Sequence, residues 1–203
     1  MIAVIDYGVG NLFSVEKAFA QFTDDVKVTS DKAEIKRAEK LVLPGVGEFG
    51  ACMKNFSDSG LMNTVLERIK AGVPLLGICV GLQILFEGSE ESPNAKGLGV
   101  FKGMVKRINA PGLKVPHMGW NSVEFAQKDL CLFKDEPGVP YFYFVHSYHA
   151  VPEDSSIVAA TTEYGEKLTA AVAKDNVMAT QFHPEKSGDV GLLIIKNFIE
   201  SKF

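Results

Sequence analysis

The order of apolar and polar positions gives the chain two rhythms. In the first half, short apolar runs alternate with segments of helical period. "MIAVID" (1–6) reads as a buried strand. "LFSVEKAFAQF" (12–22) places Leu12, Val15, Phe19 and Phe22 on one helical face, and Asn11 can cap it. "VKVT" (26–29) is a second strand, and Asp31 can cap a helix running through about Arg37. "LVLPG" (41–45) is a third strand. "LMNTVLERIKAG" (61–72) is amphipathic and closes on Gly72, a residue that ends helices well. "PLLGI" (74–78) is a fourth strand. Buried strands alternating with helices predict a parallel sheet with both faces covered.

The middle of the chain alternates more tightly, with Gly and Pro between the runs. "GLGVFKGMVKRI" (97–108), "KVPHMGWNSVEF" (114–125) and "YFYFVHSYHAV" (141–151) read as strands, some antiparallel and extending the sheet. Residues 156–184 continue as strands joined by a turn near Tyr164–Glu166. "VGLLIIKNFIESKF" (190–203) is a helix that packs back on the sheet. The chain shows no internal repeat and no linker. One α/β domain over residues 1–203 is the expectation, with a mixed, mostly parallel sheet flanked by helices.

Composition narrows the partners. The apolar share is 46% and the charged share 23%, ordinary for a soluble globular chain. Net charge is −4 with no basic stripe, which disfavours nucleic acid. "MIAVIDYGVG" lacks the basic start of a signal peptide. No apolar run approaches the roughly 20 residues that span a bilayer. Three widely spaced cysteines suit neither a disulfide framework nor a zinc cluster. The expectation is a cytoplasmic protein with no membrane partner, no metal and no cofactor.

The chemistry gathers at "GVPLLGICVGLQILFEG" (72–88). Cys79 stands where a buried strand turns into a helix, with Gly77 and Gly81 two positions to either side. In α/β sheets, ligands bind beyond the carboxyl ends of the strands. "GICVG" is the cysteine counterpart of the G-x-S-x-G nucleophile elbow. A helix N-terminus there favours thiolate, and the Val80 N–H can point at a developing oxyanion. A buried structural cysteine is the other reading of the same residues. A nucleophile needs a base and a group to orient it. Of His117, His146, His149 and His183, only His183 has a carboxylate two residues on, in "TQFHPEKS". If the backbone stays extended through Pro184, Glu185 lies on the same side and can hold the imidazole. Taken alone, a surface histidine explains this motif as well. A metal reading has no third ligand at suitable spacing.

Together, "GICVGLQ" and "HPE" resemble the class I, Cys-His-Glu glutamine amidotransferases. The resemblance implies that family's fold and hydrolysis of L-glutamine through a glutamyl thioester. Cys79 would be the nucleophile, His183 the general base and acid, and Glu185 its orienting partner. "DYGVGN" (6–11), "LPGVGEFG" (43–50), "PHMGWN" (116–121) and "FVHSY" (144–148) narrow it to one branch: the glutaminase subunits of imidazole glycerol phosphate synthase. The match spans essentially the whole chain. Two departures, Val80 and Leu82 where the family often has Leu and Met, keep the positions apolar. The motifs imply that Gln83 and Glu91 bind the polar end of glutamine, and that Ser147 and Tyr148 line its pocket. For Glu91, in the acidic "EGSEES", a solvated loop charge is the plainer reading. His146 is structural or part of the pocket wall, and Cys52 and Cys131 are core.

The resemblance further implies a heterodimer with a separate (β/α)8-barrel cyclase subunit, which receives ammonia through a channel. The products would be imidazole glycerol phosphate and aminoimidazole carboxamide ribotide. Trp120 is the only tryptophan and aromatic residues favour interfaces, but packing into its own core would explain it equally. Asn11, Tyr143 and Lys186 are the other interface candidates by position in the motifs. The loop "LPGVGEFG" carries Gly45 and Gly47, which let a peptide rotate cheaply beside the substrate. The family implies that Val46 N–H is the second oxyanion donor and that this loop can hold it turned away. From the glycines alone, an ordinary turn suffices. The rival readings are a cysteine peptidase or other elbow hydrolase, the glutaminase of pyridoxal phosphate synthesis, and a regulatory protein with a dead site. The "HPE" motif and Gln83 oppose the first. "PHMGWN" and "DYGVGN" oppose the second, and the intact Cys79, His183 and Glu185 oppose the third.

Overall fold

The computed structural model describes residues 1–136 and 138–201. The first half builds β1 (Ile2–Ile5), α1 (Leu12–Phe19), β2 (Val26–Thr29), α2 (Lys32–Arg37), β3 (Lys40–Gly45), α3 (Phe49–Asp58), α4 (Met62–Lys70), β4 (Leu75–Cys79) and the single turn α5 (Val80–Gln83). The second half builds β5 (Gly88–Ser89), β6 (Gly103–Arg107), β7 (His117–Ser122), β8 (Glu124–Phe125), β9 (Tyr141–His146), β10 (Tyr148–Pro152), β11 (Val158–Tyr164), β12 (Glu166–Lys174), β13 (Val177–Thr180) and α6 (Gly188–Glu200).

The main sheet has the order β2-β1-β3-β4-β13-β12-β11-β8. The first five of these strands are parallel and the last three are antiparallel. Strands β1, β4 and β13 are buried at every residue, as strands covered on both faces must be. Phe19 of α1 and Phe198 of α6 meet edge to face at 6.3 Å beneath it. Buried Asn197 ties α6 to the 131–134 turn by donating to the Leu132 and Lys134 carbonyls.

Several predicted elements differ from those observed. The middle strands do not all extend the main sheet: β5, β6 and β10 form one small sheet, and β7 and β9 another. Strand β7 needs only one covered face, because Met118 and Trp120 point outward, 63% and 55% exposed. Only β8, β11 and β12 lengthen the main sheet at that edge. Helix α1 ends at Phe19, three residues early, which leaves Phe22 exposed. Helix α3 fills a stretch read from the sequence as loop and core. Cys52 is buried, whereas Cys131 is only half-buried. Helix α6 starts at Gly188 and ends at Glu200; Lys202 and Phe203, placed in it from sequence, lie outside the described residues. No helix among the described residues is long and apolar enough to cross a membrane.

Candidate active site

The elbow is built by close backbone approach. Strand β4 ends at Cys79, in register with Gly45 of β3, and α5 begins at the next residue. Cys79 has φ 55° and ψ −111°, a region that non-glycine residues enter only when their surroundings hold them there. The glycines make that possible. A Cβ on Gly81 would lie 1.9 Å from the Leu43 carbonyl oxygen, and one on Gly45 2.7 Å from the Gly81 nitrogen. The thiol therefore stands at the sheet's carboxyl edge, 4% exposed. With α5 a single turn of four residues, the helix field expected to favour a thiolate has little length over which to build. A neighbouring imidazole opens onto the same space.

That imidazole belongs to His183. Beyond β13 the chain is pinned at three points. Phe182 stacks on Phe142 at 4.1 Å, His183 N–H donates to the Tyr143 carbonyl at 3.0 Å, and Ser187 Oγ donates to the His183 carbonyl at 2.6 Å. Fully burying a phenylalanine contributes about 1.5–3 kcal/mol, so Phe182 holds its neighbour firmly. The backbone does not stay extended, as the sequence suggested. Pro184–Lys186 form a 3-10 turn, and this turn brings Glu185 onto the ring. His183 Nδ1 lies 2.8 Å from Glu185 Oε1, with side chains 2% and 1% exposed. A carboxylate only accepts, so Nδ1 carries the proton and Nε2 is left without a hydrogen-bond partner. Burial alone would lower the His183 pKa. The Cys79 sulfur and the Glu185 carboxylate outweigh burial and raise it to about 10.

Cys79 and His183 open onto one cavity of about 420 Å³. Val46, Gly47, Val80, Gln83, Glu91, Ser147, Tyr148 and Lys186 line it with them. Gly45 lies in the strand beside Cys79 and Glu185 lies behind His183, so neither forms the wall. The Val46 carbonyl accepts from the Cys52 thiol at 3.3 Å. Glu91 is not a loose loop charge: its Oε2 accepts from the Phe49 N–H at 2.8 Å, at the start of α3. Gln83 is buried, and its Nε2 donates to the Tyr148 carbonyl at 3.0 Å and to Gln181 Oε1 at 3.1 Å.

Two residues at or beside this wall escaped the sequence reading or gained a partner. His146 lines the cavity and pairs with buried His117, Nε2 to Nδ1 at 2.9 Å. Gln181 lies 3.8 Å from the Cys79 sulfur through its Nε2. It stands two residues before His183, the same spacing that marked Glu185 on the other side, and that parity was its only signal.

Three of the four interface candidates cluster at the cavity's rim, Lys186 on its wall and Trp120 and Tyr143 outside it. Trp120 and Tyr143 face each other across β7 and β9, 6.3 Å between ring centroids, and Lys186 Nζ lies 6.0 Å from the Tyr143 ring centroid. Asn11 is exposed at the start of α1, where its Oδ1 accepts from the Ser14 N–H, and α1 packs beside the Pro184–Lys186 turn.

Comparison with known proteins gives this arrangement its relatives. The family model "Glutamine amidotransferase class-I" matches residues 3–201. The chain is 50% identical to imidazole glycerol phosphate synthase subunit HisH of Syntrophotalea carbinolica, over 98% of each chain. It is also 50% identical to the HisH subunit of Methanocaldococcus jannaschii, over 98% of this chain and 99% of the other. Among solved structures, a glutamine amidotransferase superposes with a TM-score of 0.75 at 22% identity, covering 98% and 99% of the two chains. PurLQS from Thermotoga maritima superposes with a TM-score of 0.76 at 18% identity, covering 98% and 96%. At these identities the structural likeness speaks for the fold.

Proposed function

We infer the function from one premise: the chain belongs to the class I glutamine amidotransferase family, in the branch of imidazole glycerol phosphate synthase HisH subunits. It is the glutaminase subunit of that synthase, in histidine biosynthesis. Its 203 residues act as one cytoplasmic glutaminase domain.

Cys79 attacks the side-chain amide carbon of L-glutamine as a thiolate. The oxyanion that forms is met by Val80 N–H from the elbow and by Val46 N–H from the loop after β3. The carbon–nitrogen bond then breaks, and His183 Nε2–H gives its proton to the leaving nitrogen. This leaves ammonia and a glutamyl thioester on Cys79. His183, now neutral, takes a proton from water through the same Nε2. The hydroxide adds to the thioester, the carbon–sulfur bond breaks, and glutamate leaves. Glu185 keeps the ring in one tautomer and stabilises its charge throughout. Gly45 and Gly47 let the loop approach the substrate. Ser147 and Tyr148 line its pocket, and Glu91 meets the polar end of glutamine while holding α3. The Gln83 amide nitrogen is already committed within the chain, which leaves its Oε1 to meet the substrate.

Ammonia released into water would be protonated and lost as a nucleophile. It passes instead to a separate (β/α)8-barrel cyclase subunit in a heterodimer, which makes imidazole glycerol phosphate and aminoimidazole carboxamide ribotide. Trp120, Tyr143, Lys186 and Asn11 form the docking face. Neither nucleic acid nor membrane is a partner.

The observation that carries this reading is the buried His183–Glu185 contact of 2.8 Å, with a free Nε2 in the cavity that holds Cys79. The test is to mix the chain with the cyclase, its nucleotide substrate and glutamine. Imidazole glycerol phosphate forms if the reading holds; a mixture that works with ammonium salts alone, and never with glutamine, refutes it.

A further inference from the structure

A line of amides and imidazoles, buried beyond the half-buried Asn121, runs inward from β7 to the nucleophile, and the hydrolysis steps leave its inner end unassigned. Two backbone carbonyls, which can only accept, fix the direction of every bond in it. The Glu163 carbonyl accepts a hydrogen bond from Asn121 Nδ2, so that amide's nitrogen also faces His117 Nε2, at 3.2 Å. His117 Nδ1 then donates to His146 Nε2, and His146 Nδ1 donates to the Tyr148 carbonyl at 2.9 Å. The same carbonyl accepts a hydrogen bond from Gln83 Nε2, which therefore also donates to Gln181 Oε1. With its oxygen so occupied, Gln181 must turn its Nε2 toward the Cys79 sulfur, 3.8 Å away. Gln181 is 0% exposed and its N–H is anchored on the Ala170 carbonyl, so the amide has no alternative solvent-facing position.

We propose that Gln181 is a further catalytic residue of this site, whose Nε2–H donates to the Cys79 sulfur. This rests on the assignment of Cys79 as nucleophile. The donor steadies negative charge on sulfur twice: in the thiolate before attack, and again when the carbon–sulfur bond of the thioester breaks. Gln181 lies behind the sulfur and does not line the cavity, so it acts on turnover and not on glutamine affinity.

The test uses the complex with the cyclase and two variants. Gln181→Met removes the donor and keeps the length. Gln181→Glu keeps an acceptor for Gln83 and sets an oxygen against the sulfur. Ammonium-supported synthesis reports that each complex is folded. The expected result is a fall in glutamine kcat of about tenfold or more, the loss of a hydrogen bond to a charged group. KM stays unchanged, and the pH profile of Cys79 alkylation by iodoacetamide moves to higher pH, further for the Glu variant. A folded variant with wild-type kcat and alkylation profile overturns the proposal. A Cys79→Ser control run beside them separates the two assignments. If it is inactive with glutamine, wild-type behaviour of the Gln181 variants refutes Gln181 alone. If it still turns glutamine over, the nucleophile assignment fails and Gln181 falls with it.

Discussion

His183 and His146 stand in the same cavity wall, and their neighbours drive their charges apart. His183 is held protonated by the Cys79 sulfur and Glu185, with its pKa raised to about 10 against burial. His146 is pushed down to about 3, chiefly by burial, and His117 to about 4 by burial alone. In an unfolded chain each imidazole titrates near 6.5. Lowered folded values mean that the neutral His117–His146 pair stabilises the fold above about pH 6.5, and that this is lost as the pH falls toward 4. Acidification from pH 7 to 4 should therefore lower the wild-type melting temperature more than that of His117→Gln. Equal slopes would show that the pair does not titrate on unfolding. The charged site makes a second prediction. Under the proposed mechanism His183→Ala and Glu185→Ala should both cut glutamine hydrolysis, the first more severely, because there the imidazole moves the protons and the carboxylate only orients it. A reversed ranking in folded variants, measured as kcat/KM, would reassign the roles.

At the scale of elements, the elbow between β4 and α5 is the tightest joint. Alanine at Gly81 would push its Cβ against the Leu43 carbonyl, a backbone atom that cannot move without parting β3 from α5. Overpacking of this kind costs about 1–3 kcal/mol, so Gly81→Ala should lower the denaturation midpoint clearly. An unchanged midpoint would mean that the joint is looser than drawn. The sequence made β1 to β4 legible, since each is a short apolar run between helix signals. It also brought Cys79, His183 and Glu185 together, because each stands in a local motif. Helix α3 was not legible. Its N-cap Glu48 makes no capping bond of its own; Glu91 and Ser92, more than forty residues on, accept from the Phe49 and Gly50 N–H groups instead. A start signal supplied from so far along the chain leaves no local pattern. Gln181 was hidden for the same reason: its meaning comes from Gln83 and Cys79, which only folding sets beside it. The two small sheets were misplaced because alternation reports a covered face and does not say which sheet a strand joins.

For the whole molecule, the proposed function depends on a second chain. Met118, Trp120 and Tyr141 expose large apolar surface around the β7–β9 ribbon, on the side that carries Lys186. Trp120→Ala should weaken binding to the cyclase by about tenfold or more in a direct titration, as loss of a central aromatic anchor does. Unchanged affinity would move the docking face elsewhere. The isolated chain should also be a poor glutaminase. If the loop at Gly45–Gly47 holds Val46 N–H away until the partner docks, hydrolysis should rise by about 10²-fold or more on docking, the worth of one oxyanion donor. A free chain that matches the complex would leave no role for that loop. The most direct measurement replaces one atom. In the complex with Cys79→Ser, glutamine-dependent formation of imidazole glycerol phosphate should vanish, while ammonium salts still support it at the wild-type rate. Glutamine-dependent synthesis that survives in that complex would contradict the account at its centre.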